Sequence, residues 1–394
     1  MACKVTALPA FDNAILTGKA VMNTSIRVKS MPYLEQNFSK RLLRWFQENQ
    51  RDLPWRRTYH PYHVWISEIM LQQTQMERVV AYFSRFIRRF PDIADLARAD
   101  EDELLKLWEG LGYYSRARNL HRAARMLADQ GGRLPESYEE LIKLPGIGPY
   151  TASAIMAIAY NRPHTVLDAN VERFFARLLD IDKPVKDKAV IRQIRSRVAE
   201  LLPPAQPRAF NQALMEFGAL VCKPGLANCG ICPFQKGCQA LRAGTVGERP
   251  VLPVRKATVA INMACGLVKR RGRFLIQKRC SNDVWANLWE FPGGCLEPGE
   301  SPEQAVVREY QEETELGVRP TAKIATVRHS YMNYRVTLHA FFCDLLADQG
   351  EPALHAAQEA RWVTTHELDN YAFPAGHRKL IAYLQETSQS WSGR

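Results

Sequence analysis

The spacing of apolar side chains divides the chain into two parts. Over residues 35–241 apolar positions recur every three or four residues, in runs such as "FSKRLLRWFQEN" (38–49) and "PYHVWISEIMLQQTQ" (61–75). The second run opens on Pro61, which suits a first helical turn. Breaks fall at Pro91, Gly131–Gly132, 145–149 and Pro203–Pro204, and β-type alternation is scarce, so this part is predicted to be all-α. "RAGTVGERPVLPVRKA" (242–257) has no period and reads as a linker. Beyond it, "ATVAINMACGLV", "FLIQKR", "IATVRH", "YRVTLHAFFCDL" and "ARWV" read as strands, interrupted by a helical stretch at 302–314. That mixture predicts an α+β domain over 258–394 around a mixed sheet.

Composition adds limits. At 394 residues the chain is long enough for two or three domains, and 46% hydrophobic with 24% charged residues is ordinary for a soluble protein. No apolar run approaches the roughly 18 residues of a membrane helix, so no membrane partner is expected. Residues 1–34 hold no secretory signal and read as a disordered extension. The net charge of +12 is uneven: residues 1–241 carry 34 basic and 24 acidic residues, against 19 and 17 in the remainder. A basic helical part joined to a near-neutral part points to a polyanionic partner for the first.

Four of the nine cysteines, Cys222, Cys229, Cys232 and Cys238, form C-x6-C-x2-C-x5-C among prolines and glycines that compact the loop. An odd total without a signal peptide favours a reducing, cytoplasmic compartment, and a metal site rather than disulfides. The spacing favours an iron–sulfur cluster over zinc, which more usually takes two C-x2-C pairs.

The helical part also holds two carboxylates with candidate chemistry. Glu68, in "SEIMLQQTQ", lies among Ile66, Ile69 and Met70, surroundings in which a carboxyl keeps its proton. Asp168, in "LDANVERFFAR", is placed at a helix N-cap, where the dipole is expected to keep it ionised. One protonated and one charged carboxyl is the division that glycosidic cleavage requires. Between them, "LPGIGPYTASAI" (144–155) reads as helix–turn–helix. Its Gly146 and Gly148 let backbone N–H groups approach a phosphate.

In order, "LPWR" (53–56), "SEIMLQQTQ" (67–75), "GLGYYSRARNLHRAA" (110–124), "LPGIGPYTASAI", "LDANVERFFAR" and the cysteine spacing resemble the endonuclease III superfamily of DNA glycosylases, specifically its MutY-type adenine DNA glycosylases. The resemblance implies a helix–hairpin–helix glycosylase domain over 35–241 with a [4Fe–4S] cluster in the 222–238 loop. It also implies excision of adenine mispaired with 8-oxoguanine or guanine in duplex DNA. Glu68 would protonate the adenine, Asp168 would stabilise the sugar cation, and Tyr150 and Asn170 would align them. Gln72, Gln73 and Tyr113 would wedge into the duplex, and Thr74 belongs to the same DNA-contacting stretch. Strand-cutting relatives place lysine where this chain has Tyr150, so a monofunctional enzyme is expected. A monomer, in a bacterial cytoplasm and associated with the nucleoid, completes the expectation.

"GGCLEPGESPEQAVVREYQEETELGV" (293–318) resembles the Nudix box, with Gly294, Glu300, Arg308, Glu309, Glu312 and Glu313 in place and Glu315 where the box has glycine. Glu309, Glu312 and Glu313 share a helical face suited to Mg²⁺. A Nudix-like sandwich that reads the lesion is expected, with Asn333 and Met332 where relatives place the residues that meet 8-oxoguanine. The alternatives are a live Nudix nucleotide pyrophosphatase, a bifunctional glycosylase/lyase and a non-catalytic DNA-binding iron–sulfur protein.

Overall fold

The computed structural model describes residues 37–254, 257–331, 333–346 and 350–391. The extension expected over 1–34, and Met332, lie outside these. The described residues divide into two compact units: 37–99 with 118–254, and 100–117 with those from 257 onward.

The first unit is helical, as its periodicity predicts. Its helices are α1 (Phe38–Asn49), α2 (Pro61–Leu71), α3 (Met76–Arg89) and α4 (Ile93–Arg98), then most of α6 (Ser115–Ala128), α7 (Tyr138–Leu141) and α8 (Pro149–Ala154), and finally α9 (Ala169–Leu178), α10 (Lys188–Leu201), α11 (Pro207–Leu220) and α12 (Gln239–Ala243). The expected 150–160 helix is present, but its last turn, Ile155–Ala159, is wound as a π-helix. The 136–144 helix is shorter than its pattern, because Ser137 caps it and regular winding stops after Leu141. A buried aromatic cluster of Phe38, Phe174, Phe175, Phe210, Phe217 and Phe234 fills the core. Phe38 and Phe234 stack with centroids 4.5 Å apart, which seats the cysteine-loop residue Phe234 on α1.

The stretch expected to be a linker is fastened to this unit along most of its length. Arg177 donates to the carbonyls of Val246 and Arg249, Arg249 pairs with Asp180 at 2.9 Å, and Val185 N–H donates to Val251 O at 2.9 Å. Missing periodicity did not mean missing contacts: irregular backbone here is held by one buried guanidinium.

In the second unit the sheet runs in the order β3 (Trp289–Glu290), β2 (Arg273–Arg279), β1 (Val259–Arg270), β6 (Tyr334–Leu345), β5 (Val318–Tyr331). β4 (Gly293–Cys295) pairs with β1, and β7 (Ala357–Val363) pairs with β2. β1 and β6 are parallel and the other pairings antiparallel, which is the mixed sheet predicted. One apolar face packs beneath α13 (Pro302–Thr314) through Val306 and Tyr310. The other packs on α14 (Ala375–Trp391) through Leu380, Ile381 and Leu384. The expectation held only one helix here; α14 completes the sandwich. Helix α5 (Glu101–Trp108) and the turn after it also belong to this unit. Among the described residues no helix is long and apolar enough to cross a membrane.

Candidate active site

Glu68 lies near the end of α2, whose central residues Val64–Met70 are all buried. It is only 5% exposed. Desolvation pushes its pKa up to about 7, with the charge of Asp168 adding to the rise. The Tyr150 hydroxyl donates to Glu68 Oε2 at 3.2 Å and works in the opposite direction. The Tyr150 phenol itself is held well above its ordinary pKa by burial, so it remains a donor. Behind Glu68, Arg51 and Arg56 both pair with Glu216 of α11, at 2.9 and 3.0 Å. These two arginines hold Glu216 down to about 2, although burial alone would raise it. "LPWR" contains Arg56, but nothing in the sequence points to its partner 160 residues away.

Asp168 caps α9, as predicted. Its Oδ1 accepts from Val171 N–H at 2.8 Å and its Oδ2 from Asn170 Nδ2 at 2.7 Å. Burial outweighs these donors and moves its pKa up from the ordinary carboxylate value. The donors and Arg173 still favour its charged form. Arg173 accounts for the posture of Asn170, donating to Asn170 Oδ1 at 2.8 Å, Gly218 O at 2.7 Å and Cys222 O at 2.8 Å. The structure thus brings Glu68, Tyr150, Asp168 and Asn170 into one electrostatically coupled group. Sequence reading missed Arg173, whose motif position gives no hint of its two distant acceptors, Gly218 and Cys222.

The DNA-contacting candidates are arranged less uniformly. Gln72 Nε2 donates to Thr151 Oγ1 at 3.2 Å, and Thr74 Oγ1 donates to Gln72 O at 3.4 Å. Gln73 is exposed and holds φ = 57°, and Tyr113 holds φ = 48°. A left-handed backbone costs a non-glycine residue about 1–3 kcal/mol, and such strain concentrates at functional sites. Gly146 needs its identity twice over: φ is 78°, and a Cβ would lie 2.9 Å from that of Asn119. Gly148 differs from expectation. Its φ of −91° is open to any residue, and nothing of the protein lies within 4 Å of where its Cβ would be.

Cys222, Cys229, Cys232 and Cys238 line one cavity with Phe174, Val221, Phe234 and Leu241. None is in a disulfide. The charges of Cys222, Cys229 and Cys238 all bear on the Cys232 thiol, so the four face a common centre. Yet among the described residues no three His, Cys, Asp or Glu side chains gather as they would round a single ion. Four thiols on one loop are a donor set that suits a thiolate-bound metal centre.

In the sheet unit the Nudix-box carboxylates are engaged by neighbouring groups of the protein. Glu309 accepts from Arg308 at 2.9 Å and abuts Gly294, where a Cβ would fall 2.2 Å from Glu309 Oε1. Glu313 accepts from Gln277 Nε2 at 2.8 Å and Gly293 N–H at 3.1 Å, and burial beside Glu290 holds its proton. Glu312 lies 3.6 Å from Arg308. Glu309 and Glu312 thus share Arg308, Glu313 turns to Gln277 and Gly293, and among the described residues no three such side chains gather as they would round Mg²⁺. Asn333 donates to Ala257 O at 3.3 Å.

Comparison with known proteins agrees with both halves. The model of the HhH-GPD superfamily of base excision DNA repair proteins matches residues 66–200, and the NUDIX domain model matches 263–383. The adenine DNA glycosylase of Rattus norvegicus is 32% identical, covering 89% of this chain and 78% of its own. That of Homo sapiens is 31% identical, covering 88% and 74%. That of Buchnera aphidicola from Acyrthosiphon pisum is 35% identical, covering 65% and 73%. A coupled carboxyl pair, a tyrosine donor and a four-thiol loop stand in a chain that matches such relatives over most of their length: the chain belongs to the adenine DNA glycosylase family.

Proposed function

We propose that the protein hydrolyses the N-glycosidic bond of adenine mispaired with 8-oxoguanine or guanine in duplex DNA. The observation that carries this reading is the buried Glu68, protonated near neutral pH and bonded to Tyr150 beside the Asp168 carboxylate. The adenine must leave the base stack to reach these groups. Glu68 then donates its proton to the purine as the bond to C1′ breaks, and water adds to C1′, giving up a proton that restores Glu68. Asp168, held by Val171 N–H and Asn170, faces the positive charge that develops on the sugar. Tyr150 has no amine, so no Schiff base forms and the strand is left uncut.

Four thiols round one apolar cavity support a [4Fe–4S] cluster in the 222–238 loop, where it would be a structural centre, with Arg177 donating to Cys222 Sγ at 3.5 Å. Iron at about four per chain is expected, and zinc in its place would sink the assignment. For the 258–394 domain lesion recognition is kept over pyrophosphate hydrolysis, as its resemblance implies. Release of pyrophosphate from nucleoside triphosphates with Mg²⁺ would reverse that choice.

The deciding experiment is single-turnover excision on a panel of mispairs, scored with and without alkali. Cleavage of A·8-oxoguanine strands only after alkali is expected. Efficient cutting without alkali would favour the lyase alternative.

A further inference from the structure

Residues 109–114 form an arch between α5 and α6 that carries Tyr113 in the left-handed region at φ = 48°, next to Gly112 at 71° and near Gly110 at 96°. Glycine takes this backbone freely and tyrosine does not, so the fold must hold Tyr113 there. From inside, Trp108 Nε1 donates to Gly112 O at 3.2 Å, and Arg116 Nη2 donates to the carbonyls of Leu111 and Gly112, both at 3.0 Å. The Arg116 guanidinium also lies 5.7 Å from the centre of the Tyr113 ring.

From the other side, the arch is held at both ends by one buried residue of the same unit. Phe373 N–H donates to Glu109 Oε1 at 2.8 Å, and Phe373 O accepts from the Tyr114 hydroxyl at 3.3 Å. Two cations reinforce the first end. Arg378 Nε donates to Glu109 Oε1 at 2.9 Å while its Nη2 holds Tyr371 O at 2.6 Å. Lys106 Nζ bridges Glu109 Oε2 at 2.7 Å and Tyr371 O at 3.1 Å. Glu109 and Tyr114 bracket Tyr113 in sequence, and both are tied to the segment immediately before α14.

We propose that Glu109 and Tyr114 are positioning residues for adenine excision, through which the Nudix-like part fixes the arch so that Tyr113 is presented ready to enter the duplex. This rests on the reading of Tyr113 as a wedge. The Nudix-like part then contributes to opening the duplex as well as to reading the lesion. A preset wedge does not pay at each encounter for ordering its own backbone. Loosening either end lets the arch relax out of the strained conformation.

The test uses the full chain with Glu109→Gln and Tyr114→Phe, which remove the charge and the hydroxyl while keeping the packing. Each is compared with the parent in single-turnover excision from two substrates: adenine paired with 8-oxoguanine in a full duplex, and the same adenine unstacked opposite an abasic gap. Losing one buried hydrogen bond predicts a fall of about tenfold on the paired substrate. The unstacked one, which needs no wedge, should change less than about twofold. Tyr113→Ala should reproduce this split, and Tyr114→Phe added to Tyr113→Ala should cost nothing further. Equal losses on both substrates, no loss, or additive losses in the double variant would overturn the proposal. If the parent protein excises adenine from neither substrate, the adenine-glycosylase reading itself fails.

Discussion

The Tyr150 hydroxyl donates to Glu68 Oε2 at 3.2 Å inside a site that otherwise favours the protonated acid. Desolvation raises the Glu68 pKa and this bond restrains it. The balance leaves the group titrating at about 7, where a general acid can both hold and release its proton.

Excision therefore has an alkaline limb. Glu68 must be protonated, so the single-turnover rate should fall as pH rises through about 7. Glu68→Gln should lose about 10²–10⁴-fold on the plateau below that limb and show no limb of its own. Tyr150→Phe removes a partner of the charged form, so its limb should move to higher pH. A limb at the same pH in Tyr150→Phe would dissociate the hydrogen bond from the tuning of Glu68.

The same shift has a stability cost of known sign. A carboxyl at 4.5 in the unfolded chain and about 7 in the folded one makes the folded state the better proton binder, so stability falls as pH rises through that window. The penalty is about 1 kcal/mol at pH 5.5 and about 3 kcal/mol at pH 8. Glu68→Gln, neutral throughout, should melt above the parent protein by a margin that grows from pH 5.5 to pH 8. A margin independent of pH would show that Glu68 is not buried as a titrating acid.

Gly218 lies where α11 meets Asn170. A Cβ there would be 2.6 Å from Asn170 Cβ and 2.8 Å from its backbone oxygen, and a backbone atom cannot swing aside. Gly218→Ala should displace Asn170 from its 2.7 Å bond to Asp168, at a cost of about 1–3 kcal/mol in overpacking. Excision should fall about tenfold or more while the Glu68 limb stays in place. Wild-type rates in Gly218→Ala would remove Asn170 from the machinery.

Glu315 occupies the glycine place of the Nudix box and ends α13 in the left-handed region at φ = 58°. The strain of about 1–3 kcal/mol exceeds the roughly 0.5–1 kcal/mol by which glycine loosens the unfolded chain. The 2.7 Å contact of its carboxylate with His355 is exposed and contributes little. Glu315→Gly should stabilise the protein by about 0.5–1 kcal/mol, read as a higher melting temperature without loss of excision. An unchanged or lower melting temperature would mean that the His355 pair outweighs the strain.

The sequence by itself indicated most of the elements and named the candidate residues for the chemistry. Three- and four-residue spacing specified the helices of 38–241, because one apolar face must be buried whatever it packs on. The strand runs after 257 specified a sheet for a similar reason. Glu68, Asp168, Tyr150 and the four cysteines were legible because their side-chain chemistry is local and their motifs are contiguous.

Tertiary structure decided what those residues experience. Asp168 caps its helix as its sequence predicts, and burial, which the local motif does not encode, moves its pKa up. Arg56 finds Glu216, Arg173 links Asn170 to Gly218 and Cys222, and Phe373 ties both ends of the Tyr113 arch. Each of these contacts joins positions tens to hundreds of residues apart. The Nudix-box glutamates had the right spacing for a cation, yet Arg308 takes Glu309 and Glu312 while Gln277 and Gly293 hold Glu313. Spacing along a helix fixes a shared face; desolvation and the partners on that face depend on which distant elements pack against it, and no local pattern encodes that.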